Sequence, residues 1–163
     1  MSGVVSPSVD RQVIVAPDPD ATTRLGHALG EVAEAGDLVC LWGDLGAGKT
    51  HLAKAFGAGI GVTDTITSPS FILMAEYDGR LPLFHIDPYR LVSAEDALAG
   101  GLIDERQATG VTLVEWPERL GDALPVDRLD VRIDGTGDEP RTITLVAWGD
   151  RYRRYLDAAE ASA

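Results

Sequence analysis

The hydrophobic pattern changes period several times along the chain, and each change marks an element. "QVIVA" (12–16) is a short apolar run that predicts a strand. In "PDPDATTRLGHALGEVAEAG" (17–36), Ala21, Leu25, Ala28, Leu29 and Val32 recur at helical spacing. Asp18 is placed to cap this helix, Pro19 to open it and Gly36 to end it. "DLVCLW" (37–42) is apolar at successive positions, as in a strand covered on both faces of a parallel sheet. Helical spacing returns from Thr50 to about Gly57. "SFILMAEYDGRLPLFHIDPYRL" (70–91) predicts two strands joined at Asp78-Gly79, a hairpin signal. Ser93 can cap a short helix in "AEDALAGG" (94–101), whose early acids suit the helix dipole. "GVTLVEW" (110–116) reads as a further strand, ending at Glu115. "RLDVRIDGTGDEPRTITLVAW" (128–148) reads as a second hairpin around "DGTGDEP". A helix from Asp150 frays into "AEASA" (159–163). Strands alternating with helices, without repeats or a long linker, predict one α/β layered domain over 1–163. Its tails, 1–11 and 157–163, are expected to be loosely ordered.

Composition narrows the class. The chain has 163 residues, 45% hydrophobic and 25% charged, enough to bury a core without disulfides or a structural metal. The single cysteine, Cys40, lies in an apolar run and reads as a buried hydrophobe. No stretch is apolar enough to cross a bilayer, and the opening "MSGVVSPSVDRQ" lacks the features of a signal peptide, so a cytosolic location is expected. The net charge is −12, and the only lysines are Lys49 and Lys54. A chain that grips nucleic acid by itself carries a basic face, so any nucleic acid is expected to be held by a partner.

The chemistry concentrates in "GDLGAGKT" (43–50), which matches G-x-x-x-x-G-K-[ST] through Gly43, Gly48, Lys49 and Thr50. A buried strand precedes it and a helix follows, as the motif requires. Gly43, Gly46 and Gly48 let backbone N–H groups turn inward as an anion nest, and the helix start adds positive charge. Lys49 would reach the β- and γ-phosphates of a nucleoside triphosphate, and the Thr50 hydroxyl would bind Mg²⁺. The chain contains no asparagine, hence no Asn-Lys-x-Asp guanine reader, which favours ATP. Asp87 closes "LPLFHID" and Glu115 closes "VTLVE". Either can face the metal or the attacking water.

"GDLGAGKT", "TSPSF" (67–71), "HIDPYRL" (85–91) and "VEWPERL" (114–120), in that order, resemble the TsaE family, formerly called YjeE. The likeness runs over about 13–146. It implies a P-loop NTPase three-layer fold with a mixed sheet. It also implies a weak ATPase that uses ATP and Mg²⁺ in making N6-threonylcarbamoyladenosine beside the anticodon of tRNAs. The partners implied are TsaB and TsaD, which would hold the tRNA. By resemblance, Gly46, Ala47, Gly48, Lys49, Thr50 and His51 wrap the phosphates, and Thr50 and Glu115 are the magnesium residues. Asp87 lies near metal or water, and Thr22 and Thr23 lie near the adenine. "TSPSF" would be a switch-like segment, meeting the partners together with "HIDPYR".

Other residues read more plainly. Trp116 can stack on a base, but a Trp at a strand end more often packs or anchors an interface. Arg90 can touch the γ-phosphate, but such an arginine more often pairs with a local acid. His85 reads as structural on its strand. Arg151, Tyr152, Arg153, Arg154 and Tyr155 read as a solvated helix face. Two other classes share a P-loop: a small-molecule kinase, though no Arg-rich lid insertion is visible, and a nucleotide switch that needs no turnover.

Overall fold

The computed structural model describes residues 9–44, 46–66, 74–88 and 108–163. Among them a seven-stranded mixed sheet forms the middle layer, in the order β1-β7-β6-β2-β5-β4-β3. The strands are β1 (Val9–Ala16), β2 (Leu38–Trp42), β3 (Met74–Tyr77), β4 (Leu83–Ile86), β5 (Val111–Glu115), β6 (Arg128–Asp134) and β7 (Arg141–Trp148). β6, β2, β5 and β4 run parallel, while β3 and the β7–β1 pair are antiparallel additions at the two sides. Three helices of the described residues, α1 (Pro19–Glu31), α2 (Lys49–Ile60) and α3 (Arg153–Ser162), cover one face. On the other face Leu38, Cys40, Ile86 and Val114 pack with Leu120, from the short turns after β5.

The elements follow from the pattern. β2 is buried along almost its whole length because it is central, and so needs no polar alternation. Val39 and Leu41 face the helices while Leu38 and Cys40 face the opposite layer. Cys40 is fully buried, and burial pushes its thiol well above the ordinary range, so it is a packing residue. Leu25 and Leu29 of α1 and Leu52, Phe56 and Ile60 of α2 fill the main core, each contributing about 1.5–3 kcal/mol. α1 and α2 meet backbone to backbone. A Cβ on Gly30 would stand 2.2 Å from the Phe56 carbonyl oxygen, and one on Gly59 2.2 Å from that of His27. Only glycine permits this approach. It fixes the start of α1 beside the start of α2.

Both hairpins form as expected. Asp18 caps α1 by accepting from the Ala21 N–H at 2.9 Å, with Pro19 next in line. Three boundaries differ from expectation. α1 stops at Glu31 rather than running to Gly36, with Val32 as its C-cap, and arginine side chains take the carbonyls left open there. β1 begins at Val9, since β7 is long enough to pair Val9 with Trp148. The final helix stays regular to Ser162, anchored by buried Ala159. The short helix expected in 94–101 lies outside the described residues.

The "RYRRY" segment is only partly a solvated face: Arg151 and Arg153 are exposed, whereas Tyr152 and Tyr155 are buried. Arg151 and Arg154 converge on Asp37, which is 1% exposed, while half-exposed Arg153 pairs with Asp10. Asp37 accepts from the Tyr155 hydroxyl, the Arg154 guanidinium and the Glu34 N–H, and pairs with Arg151 at 2.8 Å. Burial and the Asp37 carboxylate push the Tyr155 phenol well above its ordinary value. Arg154 also donates to the Val32 carbonyl, Arg151 to that of Ala35, and Arg80 to those of Gly30 and Ala33. Three cations thus satisfy the carbonyls at the negative end of α1.

Candidate nucleotide site

The carboxyl ends of β2, β5 and β4 lie side by side, the edge where open α/β sheets bind ligands. β2 ends at Trp42 and passes through 43–48 directly into α2. Gly43 has φ 152° and sits against β6, where a Cβ would come within 2.7 Å of the Ile133 carbonyl oxygen. Gly46 and Gly48 have φ 82° and 107°, the left-handed region that turns the chain back into the helix. Gly48 is the N-cap of α2 and supplies no side chain, so the first N–H groups of the helix stay open to an anion.

Lys49 is buried, with its ammonium donating to the Gly43 carbonyl at 2.6 Å and lying 3.2 Å from the centre of the Trp116 ring. Trp116 adopts φ 53°, the one positive φ outside glycine among the described residues. This left-handed turn follows β5 directly and folds the indole over the loop. Sequence reading had Trp116 as a packing residue; it packs on the motif lysine itself. Burial lowers the Lys49 pKa below the usual lysine range, and the carboxylates of Glu115, Glu118, Asp87 and Asp44 pull it partly back.

Thr50 and Glu115 meet across the β2–β5 edge, the threonine hydroxyl donating to Oε1 of the glutamate at 3.3 Å. The other oxygen, Oε2, lies 2.6 Å from Nε2 of His85, and both residues are buried. The geometry comes from register: Leu113 of β5 pairs with His85 of β4, so His85 and Glu115 share one face of the sheet. Asp87, also buried, follows β4 one step beyond the Ile86–Val114 pair and so stands beside Glu115. His85, read from sequence as structural, is thus tied to a residue of the edge.

Among the described residues no three His, Cys, Asp or Glu side chains cluster as a metal cage. A hydroxyl and a carboxylate converging on one point suit Mg²⁺, a hard ion that takes few protein oxygens and completes its shell with water and phosphate. Thr50 and Glu115 fit that requirement.

Beside the loop lies a cleft of about 280 Å³, walled by the start of α1, the start of α2 and the β6–β7 turn. Thr22, Ala47, Gly48 and His51 line it, so Thr22 and His51 do lie together. The His51 ring nitrogen Nε2 bonds Thr23 Oγ1 at 2.8 Å and faces the Pro19 carbonyl at 3.2 Å, linking the two helix starts. The opposite wall holds Arg141, whose Nε donates to the Ala47 carbonyl at 2.9 Å and whose other nitrogens bond Gly137 and Glu139 carbonyls. Arg141 fastens the β6–β7 turn to the loop. Sequence reading missed it, since one arginine after a turn carries no local signal. Residues 67–73 and 89–107, which include "TSPSF" and Arg90, lie outside the described residues.

Comparison with known proteins gives the family. A family model, described as threonylcarbamoyl adenosine biosynthesis protein TsaE, matches residues 16–143. The chain is 41% identical over 136 residues to a tRNA threonylcarbamoyladenosine biosynthesis protein TsaE of Bacillus subtilis, covering 83% of this chain and 85% of that protein. It is 40% identical over 137 residues to the TsaE of Streptomyces coelicolor, covering 79% and 92% of the two chains. The crystal structure of Bacillus subtilis YdiB superposes with a TM-score of 0.76 at 34% identity, covering 96% of this chain and 98% of that one. A family model over most of the chain and relatives at about 40% identity show that the chain belongs to the TsaE family.

Proposed function

We propose that the chain binds ATP with Mg²⁺ at the β2–α2 loop and hydrolyses it to ADP and phosphate, as an accessory ATPase of N6-threonylcarbamoyladenosine synthesis on tRNA. The observation that carries this reading is Lys49. It is a buried cation with four carboxylates around it and none bonded to it among the described residues, held by a carbonyl and a ring. Such a cation is poised for an anion that is not part of the protein. The names of the relatives support the pathway.

In this reading the N–H groups of 46–51 and the start of α2 take the β-phosphate. Lys49 leaves the Gly43 carbonyl for the β- and γ-phosphates, and Trp116 shields it from water. Thr50 and Glu115 hold the metal, and Asp87 orients the attacking water. Magnesium, when bound, neutralises charge on the transferring phosphoryl group. His85 keeps one oxygen of Glu115 occupied, which aims the other at Thr50. Adenosine occupies the cleft by Thr22, His51 and Arg141. The protein works in the cytoplasm with TsaB and TsaD, which hold the tRNA, and its net charge of −12 suits that division.

Phosphate release from ATP, measured with and without TsaB, TsaD and tRNA, tests this. Slow release alone and faster release with the pair is the expected result, because this chemistry depends on positioning in a closed site and, in this reading, the pair supplies the closure. Equal rates would refute stimulation by partners, and a phosphorylated small molecule in place of free phosphate would favour a kinase.

A further inference from the structure

Among the described residues, helices cover one face of the β1-β7-β6 side of the sheet. On the other face β1 presents Val9, Arg11, Val13 and Val15, all exposed. Arg11 pairs in register with Val146, and Trp42 with Arg132, so apolar and cationic side chains interleave across four strands. They border a shallow groove of about 460 Å³. On its floor Asp130 takes both indole N–H groups, from Trp42 and Trp148 at 2.8 Å each, and also pairs with Arg128. The shared carboxylate thus fixes both rings, with Arg128 over Trp148 at 5.5 Å and Arg132 over Trp42 at 5.7 Å. Arg11 and Arg132 have no carboxylate partner among the described residues, in a chain whose acids outnumber its bases 26 to 14. β1 is also a sheet edge, with a row of backbone groups unpaired among the described residues.

We propose that this face docks a protein partner that presents carboxylates set among apolar side chains. Carboxylates would meet Arg11 and Arg132, and apolar groups would cover the valines and the fixed indoles. Arginine and tryptophan on a rigid, partly apolar platform are the residue types that anchor protein interfaces. An RNA backbone fits less well: the groove has no lysine, its floor is the Asp130 carboxylate, and the exposed valines offer phosphates nothing. A second copy fits less well too, since each copy carries net charge −12. Trp42 leads directly into Gly43, so the docked face adjoins the phosphate loop. This proposal rests on the reading that the chain works in an assembly.

The experiment measures binding of the purified TsaB–TsaD pair to wild type, to Arg11→Glu/Arg132→Glu and to Arg11→Lys/Arg132→Lys. ATP affinity and thermal midpoint are recorded for each. The glutamate variant should bind the pair at least tenfold more weakly, with ATP affinity and midpoint unchanged, and the lysine variant should lie between. Equal binding by all three overturns the docking surface while leaving the partner reading intact. Failure of wild type itself to bind the pair refutes the partner reading, and this surface with it. Tight binding of tRNA by the chain alone, lost in the glutamate variant, overturns the proposal in favour of nucleic acid. A wild-type dimer dispersed by the same substitutions overturns it in favour of self-association.

Discussion

Two regions of this protein bury charge, and they do it in opposite ways. At the end of α1, Asp37 is surrounded by Arg151, Arg154, Tyr155 and the Glu34 N–H, and the same arginines take the last helix carbonyls. Beyond the end of β2, Lys49 is also buried, yet among the described residues it has only a carbonyl and an indole face, and burial lowers its pKa. A carboxylate whose partners are all supplied by the chain is a fastening. A cation left near acids but bonded to none of them can still trade its contacts for a ligand. The distinction lies in what completes the charge.

The largest effect expected from breaking this contrast is on stability. Asp37→Ala leaves two arginines and a tyrosine around a hole, and should cost about 3–5 kcal/mol in denaturant unfolding. The folded fraction should still bind ATP, since Asp37 is remote from the loop. Next comes the edge itself. Glu115→Gln keeps the shape but removes the negative charge opposite Thr50, and should lower the turnover rate about a hundredfold. Its unfolding midpoint should barely move. Thr50→Val should act in the same direction, with a shifted magnesium requirement in a phosphate-release assay.

A smaller loss is expected at His85, whose ring bonds Oε2 of Glu115. His85→Ala should raise the magnesium needed for half-maximal turnover about tenfold, and His85→Gln, which can still donate to Oε2, should recover part of it. A stability loss with unchanged magnesium dependence would assign His85 to packing alone. The smallest effect concerns pH. A triphosphate binds the ammonium form of Lys49, so affinity should be level at neutral pH and fall as the lysine deprotonates. Because its pKa is lowered, the fall should begin below 10.5 in a fluorescence titration.

The contrast also explains what could be read from sequence. The phosphate loop is local: strand, glycines, lysine and helix are consecutive, so "GDLGAGKT" discloses its own geometry. The hairpins at Asp78-Gly79 and 134–140 are local in the same sense, as is the Asp18 cap. The fastening at Asp37 joins residues more than a hundred positions apart, and nothing near Arg151 or Arg154 marks their partner. That is why a partly buried segment passed for a solvated helix face. Arg141 was hidden for the same reason, its partner Ala47 lying far away in sequence. His85 lay between: its strand was legible, but its register with Leu113 was not. Glu115 and Asp87 were visible as strand ends, which is where sheets of this class place their chemistry.

The central claim is that Lys49 is buried for a ligand and not for the fold. It is tested most directly by titrating ATP with magnesium into wild type and Lys49→Ala while recording the thermal midpoint of each without nucleotide. The account predicts that the variant loses ATP affinity by about a hundredfold and keeps its midpoint within a degree or two. A variant that binds ATP as wild type does, or one whose midpoint collapses as Asp37→Ala should, would contradict it.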